Sequence, residues 1–105
     1  MSQYLVVLTT VESGKQAQEL SQRLVERSLA ACVQVLGPIS STYWWKNKVE
    51  AAQEWLCLVK TREDLYPEVE AAIGEIHPYE VPEIVALPII LGSRSYLSWL
   101  DGALR

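Results

Sequence analysis

The stretch ISSTYWWKNKVEAAQEWLCLVKT, residues 39–61, decides the fold. Both halves are rich in the β-branched, aromatic and apolar residues that favour strands. Between them lies Asn47, a residue that tolerates the left-handed backbone conformation of tight turns. The stretch therefore predicts a long antiparallel hairpin. At about 3.3 Å per residue, arms of about a dozen residues would reach roughly 40 Å, which is longer than a small sheet needs.

The residues before the hairpin predict a strand, a helix and a second strand. Residues 3–9 are apolar at both even and odd positions, which indicates a strand buried on both faces. Ser13 and Gln16 have the spacing of a capping box, and apolar residues then recur at helical spacing, so a helix is predicted over residues 14–28. Residues 30–36 read as a strand that Gly37 and Pro38 interrupt before the hairpin arm.

The residues after the hairpin predict a helix, a strand and a short final helix. Asp64 is the expected N-cap of the second helix, and Pro67 fits its first turn. Residues 84–91 read as a strand whose Pro88 predicts an edge position or a bulge. Residues 93–104 predict a C-terminal helix.

This element order predicts one α+β domain over residues 1–105, with the ferredoxin-like split βαβ arrangement (βαββαβ) and an antiparallel sheet. Right-handed crossovers place both long helices on the same face of the sheet. The strands are nevertheless apolar on both sides, so a partner is needed to cover the second face.

The tryptophans of the hairpin support the same expectation. Trp44 and Trp45 are neighbours on a strand, so they project to opposite faces and at least one must leave the core of the subunit. We predict that both, together with Trp55, lie at subunit contacts. The alternative is that the C-terminal tail covers one of them and the other is simply exposed.

Composition limits the environment and the partners. The net charge of −4 gives no electrostatic footprint for a phosphate backbone, so nucleic acid is not an expected partner. The sequence has no apolar run of about 18 residues and no basic start of a secretory signal, so no membrane association and a cytoplasmic location are expected. Cys32 and Cys57 lie within apolar runs and are expected to be reduced and buried.

Motifs along nearly the whole chain, from Gln3 to Leu100, resemble the CutA family of divalent-cation (copper) tolerance proteins. The matching segments are Ala31-Cys32-Val33, Ser41-Thr42-Tyr43-Trp44-Trp45, Lys48 and Glu50, Lys60-Thr61, His77-Pro78-Tyr79, Pro82-Glu83-Ile84, and Tyr96 with Trp99. The resemblance implies a tight homotrimer, similar in architecture to the trimeric nitrogen-regulatory signalling proteins. Gln34 and Asn47 depart from the family pattern, where Asn and Gly are usual.

His77 is the only histidine and the first candidate for a metal ligand. It could simply cap the C-terminal end of the second helix. Alternatively it could bind Cu(II) or another divalent metal, because imidazole suits copper and the resemblance implies metal tolerance. Glu80 and Glu83 are the carboxylates that would complete such a site, or groups of a neighbouring subunit would do so.

A second candidate site is a cleft between subunits that binds a small ligand or anion. Its candidate residues are Tyr43, Lys46, Lys48, Glu50, Tyr79 and Glu83. The alternative interpretation is that Lys46, Lys48 and Glu50 form only a solvated hairpin end.

Three functional hypotheses follow. The first, implied by the resemblance, is a cytosolic homotrimer that acts in divalent-cation tolerance, with weak metal binding and no required cofactor. The second is a regulatory or adaptor trimer that binds a small ligand or a partner protein. An enzyme is not expected, because the sequence has no Gly-rich phosphate loop, no nucleophile elbow and no Cys close to a His.

Overall fold

The computed structural model describes residues 3–105 and has the predicted α+β order. The elements are β1 (Tyr4–Val11), α1 (Gly14–Glu26), β2 (Cys32–Trp45), β3 (Lys48–Arg62), a 3-10 turn (Glu63–Leu65), α2 (Tyr66–Ile76), β4 (Val85–Pro88) and α3 (Arg94–Ala103). The strands form one four-stranded sheet in the order β2-β3-β1-β4, and all neighbours are antiparallel. None of the helices in this described part is long and apolar enough to cross a bilayer.

One face of the sheet is covered by α1 and α2 and forms the core. Val7 of β1 lies opposite Val59 of β3, and both are fully buried. Leu24 of α1 and Ile73 of α2 belong to the same buried cluster. Cys57 is also buried there, and desolvation raises the pKa of its thiol to about 11, so it is a protonated, unreactive core residue.

The other face of the sheet is only partly covered. The helix α3 lies over one end of it, because the Tyr4 hydroxyl donates to Asp101 Oδ2 at 3.0 Å and Lys60 Nζ is 5.9 Å from the Tyr96 ring centroid. The rest is apolar and exposed in a single subunit, with Leu36 on β2 and with Val85 and Leu87 on β4. We refer below to this face as the open face.

The hairpin of β2 and β3 confirms the predicted turn. Lys46 and Asn47 have φ values of 49° and 66°, the left-handed region for which Asn is well suited. Trp44 is paired with Val49 and Trp45 with Lys48, so the two tryptophans lie on opposite sides of the hairpin, as expected. The predicted interruption at Gly37 and Pro38 is also present, as a shift of register between Leu36 and Ile39.

The start of the second helix differs from the prediction. Asp64 is not an N-cap, because its carboxylate accepts a 2.8 Å hydrogen bond from Nε of Arg62 and lies in the 3-10 turn. The helix α2 begins afterwards at Tyr66, without a side-chain cap, and Pro67 lies in its first turn as predicted. The carboxylate of Asp64 thus pairs with Arg62 and does not cap the N-terminus of α2.

Smaller differences concern the strand and helix ends. The strand β1 continues to Val11, because its last residues still pair with β3, and α1 ends at Glu26 before Ser28 adopts a φ of 56°. The strand β4 is limited to Val85–Pro88 but occupies an edge, as Pro88 predicted. Cys32 is half-buried, because it lies on the edge strand β2, whereas it was expected to be buried.

Candidate functional site

A concave region of about 840 Å³ lies between the hairpin and the connector that joins α2 to β4. Its walls come from the end of β1, from both arms of the hairpin and from the connector. The lining residues are Thr10, Ser41, Thr42, Tyr43, Trp44, Trp45, Glu54, Pro78, Tyr79, Glu80, Val81, Pro82 and Glu83.

The imidazole of His77 supports this region from behind. The backbone N–H of Tyr79 donates to Nδ1 of His77 at 3.2 Å, so the ring proton lies on Nε2, which donates to the Thr10 carbonyl at 2.7 Å. Desolvation lowers the pKa of His77, and this exceeds the opposing effects of the Thr10 carbonyl and of Glu54. The neutral imidazole therefore ties the connector to β1.

His77 also ends α2, as one interpretation of the sequence held. Its backbone N–H donates to the carbonyl of Ile73 at 2.9 Å. The imidazole, however, bonds to the neighbouring strand and not to the last carbonyls of its own helix. His77 therefore ends α2 through its backbone and joins the connector to β1 through its side chain.

Glu54 forms the floor of the concave region. It is only 6% exposed, and its Oε2 accepts a 2.8 Å hydrogen bond from the hydroxyl of Tyr79. Burial, and next the hydrogen bond to Glu54, raise the pKa of the Tyr79 phenol, so Tyr79 remains a hydrogen-bond donor. The tyrosine ring also packs on His77, with 4.8 Å between ring centroids.

Sequence reasoning missed Glu54. The sequence did contain an indication of Glu54. Successive side chains of a strand alternate between its faces, so Glu54 lies on the same face of β3 as Leu56 and Leu58. A buried carboxylate at such a position is costly unless it is hydrogen-bonded or paired with a cation.

The structure partly separates the residues predicted for a metal site. Glu80 and Glu83 line the concave region, whereas His77 lies behind it with both ring nitrogens in hydrogen bonds. Within residues 3–105 no group of three or more His, Cys, Asp or Glu side chains is arranged to hold a metal. A metal site on His77 would therefore need groups from outside this subunit and the loss of one hydrogen bond.

The residues predicted for a ligand cleft are also divided. Tyr43, Tyr79 and Glu83 line the concave region, but Lys46, Lys48 and Glu50 do not. Instead, the Lys46 ammonium lies 5.6 Å from the centroid of the Trp45 ring, at the tip of the hairpin. Since the acidic and basic side chains of the lining are all carboxylates, its electrostatics are opposite to those that a small anion requires.

The three tryptophans predicted for subunit contacts occupy two different environments. Trp44 is 74% exposed and Trp45 is 37% exposed, both near the hairpin tip. Trp55 lies instead at the base of the hairpin, where it packs against the core cluster and its ring lies over Gly37. The position of Trp55 therefore supports packing within the subunit, unlike that of the other two.

Comparison with known proteins gives a consistent assignment. Residues 5–103 match the family model described as CutA1 divalent ion tolerance protein. The chain is 47% identical over 95 residues to the "Divalent-cation tolerance protein CutA" of Thermus thermophilus, covering 90% of this chain and 92% of that protein.

Solved structures agree with this assignment. The Thermus thermophilus protein has a TM-score of 0.94 at 44% identity, covering 97% of this chain and 99% of that one. CutA1 from Oryza sativa has a TM-score of 0.96 at 38% identity, covering 99% and 95%. A structure named "Periplasmic divalent cation tolerance protein CutA" from Archaeoglobus fulgidus has a TM-score of 0.94 at 37% identity, covering 97% and 99%. The chain therefore belongs to the CutA1 divalent ion tolerance protein family.

Proposed function

We propose that this chain forms a homotrimer that acts in divalent-cation tolerance. The functional part of the proposal is supported by family membership and by the names of its relatives. The assembly is supported by one observation above all, the apolar open face of the sheet. The helix α3 covers only one end of that face, so the remainder needs another protein surface.

The sheet edges favour a closed ring of identical subunits. Both outer strands, β2 and β4, have one edge without a partner within the described subunit. Contact between two different surfaces of identical subunits builds a ring when the rotation closes. The long hairpin supplies an arm that can reach a neighbour, and the family resemblance favours three subunits.

A charge on the open face tests the assembly. Leu36 is 55% exposed in the single subunit, and we expect Leu36→Lys to dissociate the trimer because a buried charge would lack a partner. The matched control is Val25→Lys. Val25 is 42% exposed and lies on α1, which covers the opposite face of the sheet. Sedimentation velocity should show smaller particles for Leu36→Lys alone. Dissociation of both variants, or of neither, would contradict the proposed interface.

Metal binding, if it contributes directly, should be weak and should use His77. Cu(II) would have to displace the Tyr79 N–H from Nδ1, the longer of the two hydrogen bonds of the imidazole, at 3.2 Å. Glu80, Glu83 or groups of a neighbouring subunit would complete the ligand set. No cofactor is required by this proposal.

Calorimetric titration with Cu(II) tests the role of His77. We expect weak binding at pH 7.5, weaker binding at pH 5.5 because a protonated imidazole cannot ligate, and loss of binding in His77→Gln. Glu75→Gln, an exposed carboxylate variant on α2, is the control and should bind like the wild type. Equal binding by wild type and His77→Gln would exclude His77 as the ligand.

A second candidate function is the regulatory or adaptor one, in which a small ligand occupies the concave region. The specific observation in its favour is the joint lining by Tyr43, Tyr79 and Glu83. Native mass spectrometry of freshly purified protein would detect a retained ligand.

Catalysis is no part of either proposal. The cytoplasmic location stays a prediction, since the name of the Archaeoglobus relative includes "periplasmic" and the curated rice relative, of which this chain spans 57%, is called chloroplastic.

A further inference from the structure

The charges of the concave region are all of one sign. Three carboxylates line it, those of Glu54, Glu80 and Glu83, and its described lining contains no Lys, Arg or His. Two lysines lie beside the lining at the hairpin tip, since Lys46 Nζ is 5.6 Å from the Trp45 ring centroid and Lys48 pairs with Trp45 across the strands. The three carboxylates outnumber these two ammonium groups, so a ligand that enters this region meets a net negative charge.

Glu54 is the buried carboxylate of the region, and a positively charged ligand would stabilise it most. It is 6% exposed, and its only side-chain hydrogen bond in residues 3–105 comes from the neutral hydroxyl of Tyr79. None of the ion pairs formed in this part of the chain involves Glu54. A buried carboxylate without a cationic partner is unfavourable, and a bound cation would remove that cost.

The shape and the other walls of the region do not suit a bare metal ion. Its volume of about 840 Å³ lies in the range of organic ligands. The described carboxylates and the imidazole do not form a group that could hold a metal. Four aromatic residues line the region instead, namely Tyr43, Trp44, Trp45 and Tyr79. Aromatic ring faces attract ammonium groups, and the pairing of Lys46 with Trp45 is an example within this chain.

We propose that the concave region binds a small organic ammonium ion, with its charge near Glu54 and its alkyl groups against Tyr43 and Trp45. This proposal rests on the second candidate function above, the binding of a small ligand, and specifies the class of ligand. The proposed site shares Glu80 and Glu83 with the copper site and Trp44 and Trp45 with the predicted subunit contacts, so the titration is made on the native assembly without added copper.

The probe for the test is tetramethylammonium, and its neutral counterpart is tert-butanol, a molecule of similar size without the charge. Both are titrated into ¹⁵N-labelled full-length protein at constant ionic strength. The indole N–H signals of Trp44 and Trp45 should shift in a saturable manner with tetramethylammonium. Those of Trp55 and Trp99, which do not line the region, should not. The affinity for tert-butanol should be at least tenfold lower.

Variants separate the contribution of charge from that of shape. Glu54→Gln keeps an acceptor for the Tyr79 hydroxyl but removes the charge, and it should weaken binding at least tenfold. Glu75→Gln changes the net charge equally on the surface of α2 and should leave the affinity unchanged. Tyr43→Leu should weaken binding several-fold, and Tyr43→Phe should restore most of it because the ring face returns.

Three results would overturn the proposal. They are the absence of a saturable shift at the Trp44 and Trp45 signals, equal affinity for tert-butanol, and an unchanged affinity in Glu54→Gln. Copper binding and the oligomeric mass are measured separately, so failure here is distinguishable from failure of the proposed tolerance function.

Discussion

The two ends of the hairpin differ in how their apolar residues are covered. At its base, Cys57 and Val59 are fully buried beneath the helices, and Trp55 packs on Gly37. Towards its tip, Trp44 and Val49 face each other across the strands and are 74% and 61% exposed. The same two strands thus bury their apolar residues in the core at one end and expose them at the other. The base belongs to the core of the subunit, and the tip is where we propose assembly and ligand binding.

A core substitution should produce the largest effect, independent of assembly. Leu24 of α1 is fully buried, and Leu24→Ala should lower the free energy of unfolding by about 2–5 kcal/mol. Its neighbour Val25 is 42% exposed, and Val25→Ala should change that free energy by less than about 0.5 kcal/mol. Denaturant unfolding measures both. Equal losses would mean that the buried cluster does not dominate the stability of the base.

Tryptophan substitutions compare the base with the tip directly. Trp55→Ala should cost up to about 3 kcal/mol at any protein concentration, since this residue packs within the subunit. Trp44 is 74% exposed in one subunit, and we propose that it gains contacts on assembly. Trp44→Ala should therefore lower the melting temperature in a concentration-dependent manner. Thermal unfolding over a hundredfold range of concentration distinguishes the two. The same concentration dependence in both variants would remove the distinction between base and tip.

Glycine substitutions sharpen the description of the base. A Cβ at Gly37 would lie 2.3 Å from Cδ1 of Trp55, so Gly37→Ala should destabilise the protein by about 1–3 kcal/mol. A Cβ at Gly74, on α2, would meet nothing within 4 Å, so Gly74→Ala should stabilise the protein by about 0.5–1 kcal/mol. Denaturant unfolding again supplies the comparison. A neutral Gly37→Ala would show that Trp55 is free to move away.

The pH dependence should be the smallest effect and should arise from His77. Its pKa is lowered in the folded protein, mainly by desolvation, so the unfolded chain binds the proton more readily. The contribution of His77 to stability is therefore complete above about pH 6.5, its unperturbed value, and is lost as the pH falls through the lower folded pKa. Denaturant unfolding of the wild type and of His77→Gln is measured at pH 7.5 and 5.5. The free energy of unfolding should decrease less between these pH values in the variant than in the wild type. An identical loss would exclude His77 as the source.

Local patterns in the sequence were sufficient to predict most of the fold. Asn47 located the turn, because Asn tolerates the left-handed conformation. Gly37 with Pro38 located the interruption of β2, and Pro88 indicated an edge strand, because Pro lacks a backbone N–H for the ladder. Asp64 was assigned wrongly, because a carboxylate can cap a helix or pair with a nearby Arg62, and its spacing does not decide between them.

The candidate site was predictable only in part. Tyr43, Tyr79 and Glu83 were predicted for a cleft between subunits, and they line the concave region of one subunit. Lys46, Lys48 and Glu50 do not line it. The twist of a long hairpin and the path of the connector decide which side chains meet, and neither is encoded by periodicity. The proposed coverage of the open face by other subunits likewise depends on contacts beyond one chain.

The mass of the native particle tests the central claim most directly, namely that the open face and the hairpin tip are completed by identical subunits. Light scattering coupled to size exclusion, on the wild-type protein at micromolar concentration, should give three times the subunit mass of 11.8 kDa. A stable monomer of 11.8 kDa would contradict the account, since its apolar open face would then remain exposed in solution without a partner.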